Sequence, residues 1–237
     1  LSDMLNRSPA LVAVQHVNNE TGVIQPLDRV AELVRAAGSL LFADCAQSAG
    51  KLPLPDADLI AVSAHKLGGP PGIGALLVRD LSVLEPSGGQ EKGYRRGTQD
   101  APAASAFAAA LESRAFTLAL PRLTELRQRL DDGVLDSGGL VIAEKSPRAP
   151  TIGSIALPGF ASASLVAQFD LASFAVSAGS ACSSGRMKES RVLAAMRVPA
   201  DVAASMLRVS FGPDTSREEV DAFLAEFSKI AARRQAA

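Results

Sequence analysis

The sequence is poor in the residues from which most functional sites are built. Among its 237 residues there are two cysteines and two histidines, and 24 lysines and arginines nearly balance 25 aspartates and glutamates. Two cysteines, Cys45 and Cys182, make no disulfide framework, so a reducing, cytosolic setting is expected. A net charge of −1 leaves no electrostatic case for nucleic acid or an acidic membrane surface as partner. No apolar run is long enough to span a bilayer. Cys182 has no neighbouring residues with which to hold zinc, and no metal site is expected. No internal repeat or low-complexity tract is present. The chain opens at Leu1 without a signal-peptide pattern and runs almost at once into a strand-like segment. It reads as a piece whose N-terminal part is missing.

What is abundant is apolar: 47% of residues are hydrophobic, enough for one large domain or two small ones. The runs "LVAVQHV" (11–17), "SLLFADC" (39–45), "DLIAVSA" (58–64) and "IGALLV" (73–78) predict strands. Between them, Val30, Leu33, Val34 and Ala37 recur at helical spacing, and Gly38 can end that helix. Apolar strands interleaved with a helix imply an α/β sheet buried on both faces. A Gly-rich, charged connector (86–102) leads to a long helical stretch, about 103–135, with a break expected at Pro121. Strands "GLVIAE", "TIGSIALP" and "LRVSFG" then mix with helices near 161–170, 187–196 and 216–233. The expected organisation is an α/β domain over 1–105 and a smaller α+β domain over 106–237.

In open α/β sheets, ligand groups gather at the carboxyl ends of strands. Lys66 follows one strand candidate, and a lysine desolvated there becomes a Schiff-base former. By position alone the favoured reading is the ordinary one, a solvent-exposed loop lysine. Asp44 ends an adjacent strand candidate, where a carboxylate can hold the ring nitrogen of pyridoxal phosphate protonated. Gln47 can donate to the ring oxygen, and Ser63 and His65 flank the lysine as phosphate donors. Each has an ordinary structural reading as cap, loop or surface residue. Cys45 reads as a small core residue and His16 as a core histidine, and "GGPPGIG" reads as a turn. "RRGT" (95–98) is either an anion site through Arg96 and Thr98 or a solvated basic turn. Cys182 sits in "SAGSACSSG" among small residues, a setting that suits a thiol that must move and react.

The segments "HVNNETGVIQPL", "FADCAQSAGKLPL", "SAHKLGGPPGIGALLVR", "GGQEKGYRRGTQ" and "SAGSACSSG…LRVSFG" resemble, in this order, the motifs of bacterial cysteine desulfurases. These are nitrogen-fixation and iron–sulfur-assembly enzymes of the class V aminotransferase-like group. The resemblance implies fold type I of the pyridoxal-phosphate-dependent transferases. Residues 1–105 would be the remainder of the cofactor-binding large domain, and 106–237 the small domain with a long mobile cysteine loop. It implies that Lys66 carries the cofactor, with His65 beside it as a catalytic and phosphate-binding residue. Asp44 would pair with the ring nitrogen, Gln47 and Asn19 would lie at the ring oxygen, and Ser63 would bind phosphate. Thr98 would reach the phosphate of the second subunit in a homodimer. Asn19 and Arg208 would hold the carboxylate of L-cysteine, and Cys182 would take its sulfur for a sulfur-acceptor or iron–sulfur scaffold protein. "LGGPPGIG" lacks the tyrosine and lysine usual in that family, and "FGP" (211–213) lacks an arginine common there. Alternatives are a selenocysteine lyase, another class V enzyme, or a truncated non-catalytic copy that binds partners.

Overall fold

Three parallel strands stand side by side near the start of the chain because each is a short apolar run bounded by turn residues. The computed structural model describes residues 1–179 and 190–235. After a short helix, α1 (Ser2–Leu5), come β1 (Leu11–Gln15), α2 (Leu27–Ala36), β2 (Leu40–Asp44), β3 (Leu59–Ser63) and β4 (Gly74–Val78). The sheet order is β1-β2-β3-β4, with β1, β2 and β3 parallel and β4 antiparallel to β3. Helix α2 buries Leu27, Ala31 and Val34 against Leu41, Ala43 and Ile60 of the sheet. The buried stripe is thus rotated from the one predicted, and Leu33 and Ala37 face solvent. Gly38 ends the helix at φ +69°, a left-handed conformation that favours glycine.

The described chain divides into two units. The first is Leu1–Val17 with Gln25–Leu118, and the second is Asn18–Ile24 with Ala119–Ala237. Helix α3 (Ala101–Ser113) stays with the first unit because Phe107 packs into its core, so the division falls later than the 105/106 boundary expected from sequence. The 18–24 segment joins the second because Val23 bridges to Arg148, Gly22 accepts the Ala149 N–H and Ile24 donates to Pro147.

The long helical stretch breaks at Arg114, at φ +51°, and not at Pro121. Helix α4 (Ala115–Asp136) carries Pro121 within it. One intrahelical bond is lost there, but Leu123, Leu126, Leu130 and Val134 bury one face and hold the helix across the gap. The second unit continues with β5 (Leu140–Val141), β6 (Ile152–Ala156), α5 (Ser162–Leu171), β7 (Ser177–Ala178), α6 (Arg191–Ala195), α7 (Ala200–Ala204), β8 (Met206–Ser210) and α8 (Arg217–Gln235). Its antiparallel sheet runs β5-β6-β8-β7. β5 is shorter than predicted because Ala143 turns the chain at φ +55°. Residues 187–189 of the helix expected over 187–196 lie outside the described residues. Between α5 and α8, Phe169 stacks on Phe223 at 4.5 Å and Phe174 meets Phe223 edge-on at 5.6 Å.

One charged cluster is buried in this unit. Asp131 Oδ2 lies 3.1 Å from Arg127 and 2.8 Å from Arg148, with the Asp131 and Arg148 side chains each 4% exposed. Among the described residues, Asp131 Oδ1, Arg127 Nε, and Arg148 Nε and Nη1 are buried without a hydrogen-bond partner. Two cations therefore depend on one carboxylate, and burial pushes the Arg127 guanidinium down. Asp131→Ala is expected to lower stability by about 3–5 kcal/mol, because it strands two buried charges. The urea-unfolding midpoint measures this; a loss below about 1 kcal/mol would mean the cluster behaves as an exposed ion pair.

Candidate functional site

The carboxyl ends of β2 and β3 bring together five of the residues singled out from sequence. Asp44 is the last residue of β2 and pairs in register with Ala61, two residues before Ser63 ends β3. The chain then enters a 3-10 turn, Ala64–Lys66. Ala64 is fully buried, donates its N–H to Ile73 and accepts those of Leu67 and Gly69. This pins the turn and leaves His65 exposed and Lys66 half-buried. Gly69 has to be small, since a Cβ there would lie 2.9 Å from that of Ala64. Ser63 Oγ and His65 Nδ1 are hydrogen-bonded at 2.8 Å.

Asp44 is exposed, and its Oδ1 accepts the Ala46 N–H at 2.9 Å. That bond orients the carboxylate and leaves Oδ2 for an incoming donor. Gln47 is half-buried in a compact turn in which Ser48 and Ala49 donate to the Cys45 carbonyl. The donor set is one carboxylate, one amine, a hydroxyl–imidazole pair and an amide. It matches the chemistry of pyridoxal phosphate: a basic ring nitrogen, an aldehyde, a phosphate and a ring oxygen.

The neighbouring residues take their structural readings. His16 is buried with Nδ1 3.0 Å from Ser48 Oγ, and burial lowers its pKa against an opposing effect of Asp28. Cys45 is fully buried, which pushes its thiol up. In "RRGT", Arg95 donates to the Gly97 carbonyl at 2.7 Å and Arg96 to that of Ser87 at 2.6 Å, so both are spent on their own loop. Thr98 lies exposed in that connector, with no hydrogen bond to the strand-end group among the described residues.

Asn19 and Arg208 belong to the second unit. Arg208, on β8, donates from Nη1 to the Asn19 carbonyl at 3.0 Å and lies 3.4 Å from Ser177 Oγ through Nη2. Among the described residues its buried Nε has no hydrogen-bond partner, a donor that an added carboxylate would satisfy. The turn that presents the Asn19 carbonyl is built on Asn18, whose Oδ1 accepts the N–H groups of Glu20 and Thr21 and the Thr21 hydroxyl at 2.9–3.0 Å. Cys182 lies outside the described residues.

Sequence reasoning places Asn18 with Asn19 at a strand end but gives no role to it, to the buried Glu20 or to Lys51. The first two stand in the quoted motif "HVNNETGVIQPL" beside Asn19, but nothing in residue type marks them as buried. Lys51 is buried with Nζ 4.8 Å from the centre of the Phe116 ring, and a lysine carries no sequence signal for that state.

Comparison with known proteins gives a consistent picture. The family model described as aminotransferase class-V matches residues 1–223. A cysteine desulfurase IscS from Anaeromyxobacter sp. is 38% identical over 232 residues, covering 92% of this chain and 56% of the relative. A cysteine desulfurase from Bradyrhizobium diazoefficiens is 38% identical over 237 residues, covering 96% and 60%. Among solved structures, a NifS-like protein matches with a TM-score of 0.85 at 29% identity, covering 98% of this chain and 64% of that one. A NifS-like protein from Rickettsia africae matches with the same TM-score at 25% identity, covering 96% and 64%. The chain thus spans 56–60% of the length of these two curated relatives.

Lys51 makes a stability test of the Asp44–Lys51 turn. Burial, with Lys66 as a second and smaller cause, lowers its pKa from 10.5 to about 8. Between those two values the unfolded chain holds a proton that the folded chain has released, so stability rises with pH across the window from about 8 to 10.5. Lys51→Met is expected to abolish that rise and to stabilise the protein at pH 7 by at most about 3 kcal/mol. Unfolding midpoints of both proteins at pH 7 and pH 10 decide it; parallel pH dependences would contradict a buried ammonium.

Proposed function

The chain belongs to the aminotransferase class-V family, and we propose that it carries the catalytic residues of a pyridoxal 5'-phosphate-dependent cysteine desulfurase. Its architecture is fold type I of the pyridoxal-phosphate-dependent transferases. The observation that carries the reading is the group at the ends of β2 and β3. Asp44 ends β2, Ser63 ends the neighbouring β3, and the pinned turn that follows carries Lys66 and His65, the latter hydrogen-bonded to Ser63. The names of the matched relatives support cysteine as the substrate.

In this reading Lys66 Nζ holds the cofactor between turnovers and moves a proton on the substrate carbon. Asp44 Oδ2 accepts the ring N–H, and Gln47 with Asn19 donates to the ring oxygen. Ser63 and His65 bind the phosphate, and Thr98 reaches the phosphate of the second subunit of a homodimer. When bound, the cofactor acts as an electron sink for the substrate carbon. Arg208 forms a charge-assisted pair with the carboxylate of L-cysteine. The Cys182 thiolate attacks the substrate sulfur. An S–S bond forms, the substrate C–S bond breaks, and its electron pair stays on carbon, where a proton completes L-alanine. The persulfide on Cys182 is then passed to a thiol of a sulfur-acceptor or iron–sulfur scaffold protein. A reducing cytoplasm keeps that thiol available.

The reading is tested by borohydride reduction of the cofactor-loaded protein and by isotopically labelled cysteine, both followed by peptide mass spectrometry. The cofactor is expected on Lys66 alone, and the labelled sulfur on Cys182. Cys182→Ser is expected to retain the cofactor absorbance and release no sulfide. A tether on another lysine, sulfur on Cys45, or undiminished sulfide from Cys182→Ser would overturn it.

Arg208→Ala separates substrate from cofactor. Loss of one charge-assisted pair is expected to weaken cysteine binding about ten- to hundredfold while leaving cofactor affinity nearly unchanged. Spectral titrations with each ligand measure the two constants, and equal losses would exclude the assigned role.

A further inference from the structure

His16 follows the last residue of β1 and is buried, 8% exposed. Its backbone N–H donates to the Asp44 carbonyl at 2.8 Å, and its own carbonyl accepts the Gln25 N–H at 2.8 Å. Its ring Nδ1 is hydrogen-bonded to Ser48 Oγ at 3.0 Å, across 32 positions of sequence. One residue therefore touches both ends of the segment 44–48. That segment bears Asp44 and Gln47, the two side chains assigned to the nitrogen and the oxygen of the cofactor ring.

The bond to Ser48 is the specific one, because any residue but proline at position 16 could supply the backbone N–H. Ser48 is fully buried. Its hydroxyl has one other contact, the Cys45 carbonyl at 3.4 Å. That oxygen already accepts the N–H groups of Ser48 at 3.1 Å and Ala49 at 2.8 Å. The shorter bond to the imidazole is thus the stronger of the two. On either side the chain is fixed separately: Cys45 donates to the Ala61 carbonyl at 2.9 Å, and Gly50 accepts the Thr117 hydroxyl at 2.9 Å. Among the described residues, the His16–Ser48 bond is the only hydrogen bond that ties 46–49 to another segment. Gln47 lies inside that stretch, half-buried, so its place depends on the residue beside it. A leucine or phenylalanine at position 16 would fill the core without desolvating an imidazole. What the imidazole adds is placement of the turn.

We propose that His16 is a positioning residue for the cofactor ring: its backbone N–H holds Asp44, its imidazole holds Ser48, and the two bonds set the spacing of the Asp44 carboxylate and the Gln47 amide. The inference rests on the desulfurase reading for the roles of Asp44 and Gln47, and on these contacts for that of His16. His16 acts through the turn and not on the reacting atoms.

The test uses His16→Phe, which keeps a ring but no ring nitrogen, His16→Asn, whose side-chain amide can replace Nδ1, Ser48→Ala, and the double variant His16→Phe/Ser48→Ala. All keep the backbone N–H that holds Asp44. Titration with pyridoxal 5'-phosphate, followed by visible absorbance, is expected to show affinity weakened about three- to tenfold in His16→Phe and in Ser48→Ala. The visible band of the bound cofactor is expected to move in both, because Gln47 no longer meets the ring oxygen in a fixed place. His16→Asn is expected to bind more tightly than His16→Phe. The double variant should bind no more weakly than the weaker single variant, because one bond is broken in all three. Unchanged affinity and band in His16→Phe and Ser48→Ala, additive losses, or a His16→Asn no better than His16→Phe would overturn the proposal. Amide hydrogen exchange without cofactor gives a second arm independent of the desulfurase reading. The Ser48 and Ala49 N–H groups are expected to exchange severalfold faster, relative to those of β2, in His16→Phe and Ser48→Ala; an unchanged ratio in both overturns the proposal. Should His16→Phe not fold, Ser48→Ala decides alone in both arms. If the unaltered protein binds no pyridoxal 5'-phosphate, the desulfurase reading fails and the exchange arm alone judges His16.

Discussion

The pairing of Ser63 with Gly74 is the constraint on which the first unit depends. It is the last rung of the antiparallel ladder between β3 and β4, and the chain must reverse direction between these two residues. Gly74 meets this demand because a Cβ there would lie 2.4 Å from the Val62 carbonyl oxygen. With both ends of the reversal fixed and Ala64 locked in the core, the Ala64–Lys66 turn has little freedom. Lys66 is therefore held at the edge of the core, half-buried, instead of waving in solvent as a loop lysine would. The parallel register of β2 with β3 sets Asp44 beside that turn. Chemistry at this end of the sheet is a consequence of strand direction and of one glycine that lets two backbones approach.

The second unit solves a different problem, how to hold polar groups still inside an apolar shell. Asn18 does it with a side-chain oxygen that substitutes for a backbone acceptor and closes a turn over three donors. Asp131 does it by serving two arginines at once. Among the described residues both devices leave some buried donors without a hydrogen-bond partner, Asn18 Nδ2, Arg127 Nε and Arg148 Nε among them. Geometry is secured there at some cost in stability. The aromatic packing of Phe169, Phe174 and Phe223 supplies apolar burial of the ordinary kind.

Much of this was readable from one sequence. Strands β1 to β4 and helix α2 follow from apolar runs and helical spacing, but the sheet expected to be buried on both faces is not: β1 and β4 are largely exposed, Leu11, Leu76 and Leu77 among them. The strand-end places of Asp44, Ser63, His65 and Lys66 were legible because polar residues directly after apolar strands fall there. The helix break was placed at Pro121 because proline lacks an N–H. The chain breaks at Arg114, whose residue type says little about a left-handed φ.

Residue type and order alone therefore determined strands β1 to β4, β6 and β8, the main helices and the kind of chemistry their functional groups can perform, since these depend on local periodicity and on residue type. Only the tertiary structure decided that β4 runs antiparallel, that Lys51 and Glu20 are buried, that Arg96 is spent on its own loop, and that Ser190 meets a carboxylate 170 residues away. The physical reason is the same in each case. Burial, strand direction and long-range hydrogen bonds are properties of pairs of segments, and no single segment carries the information about its partner.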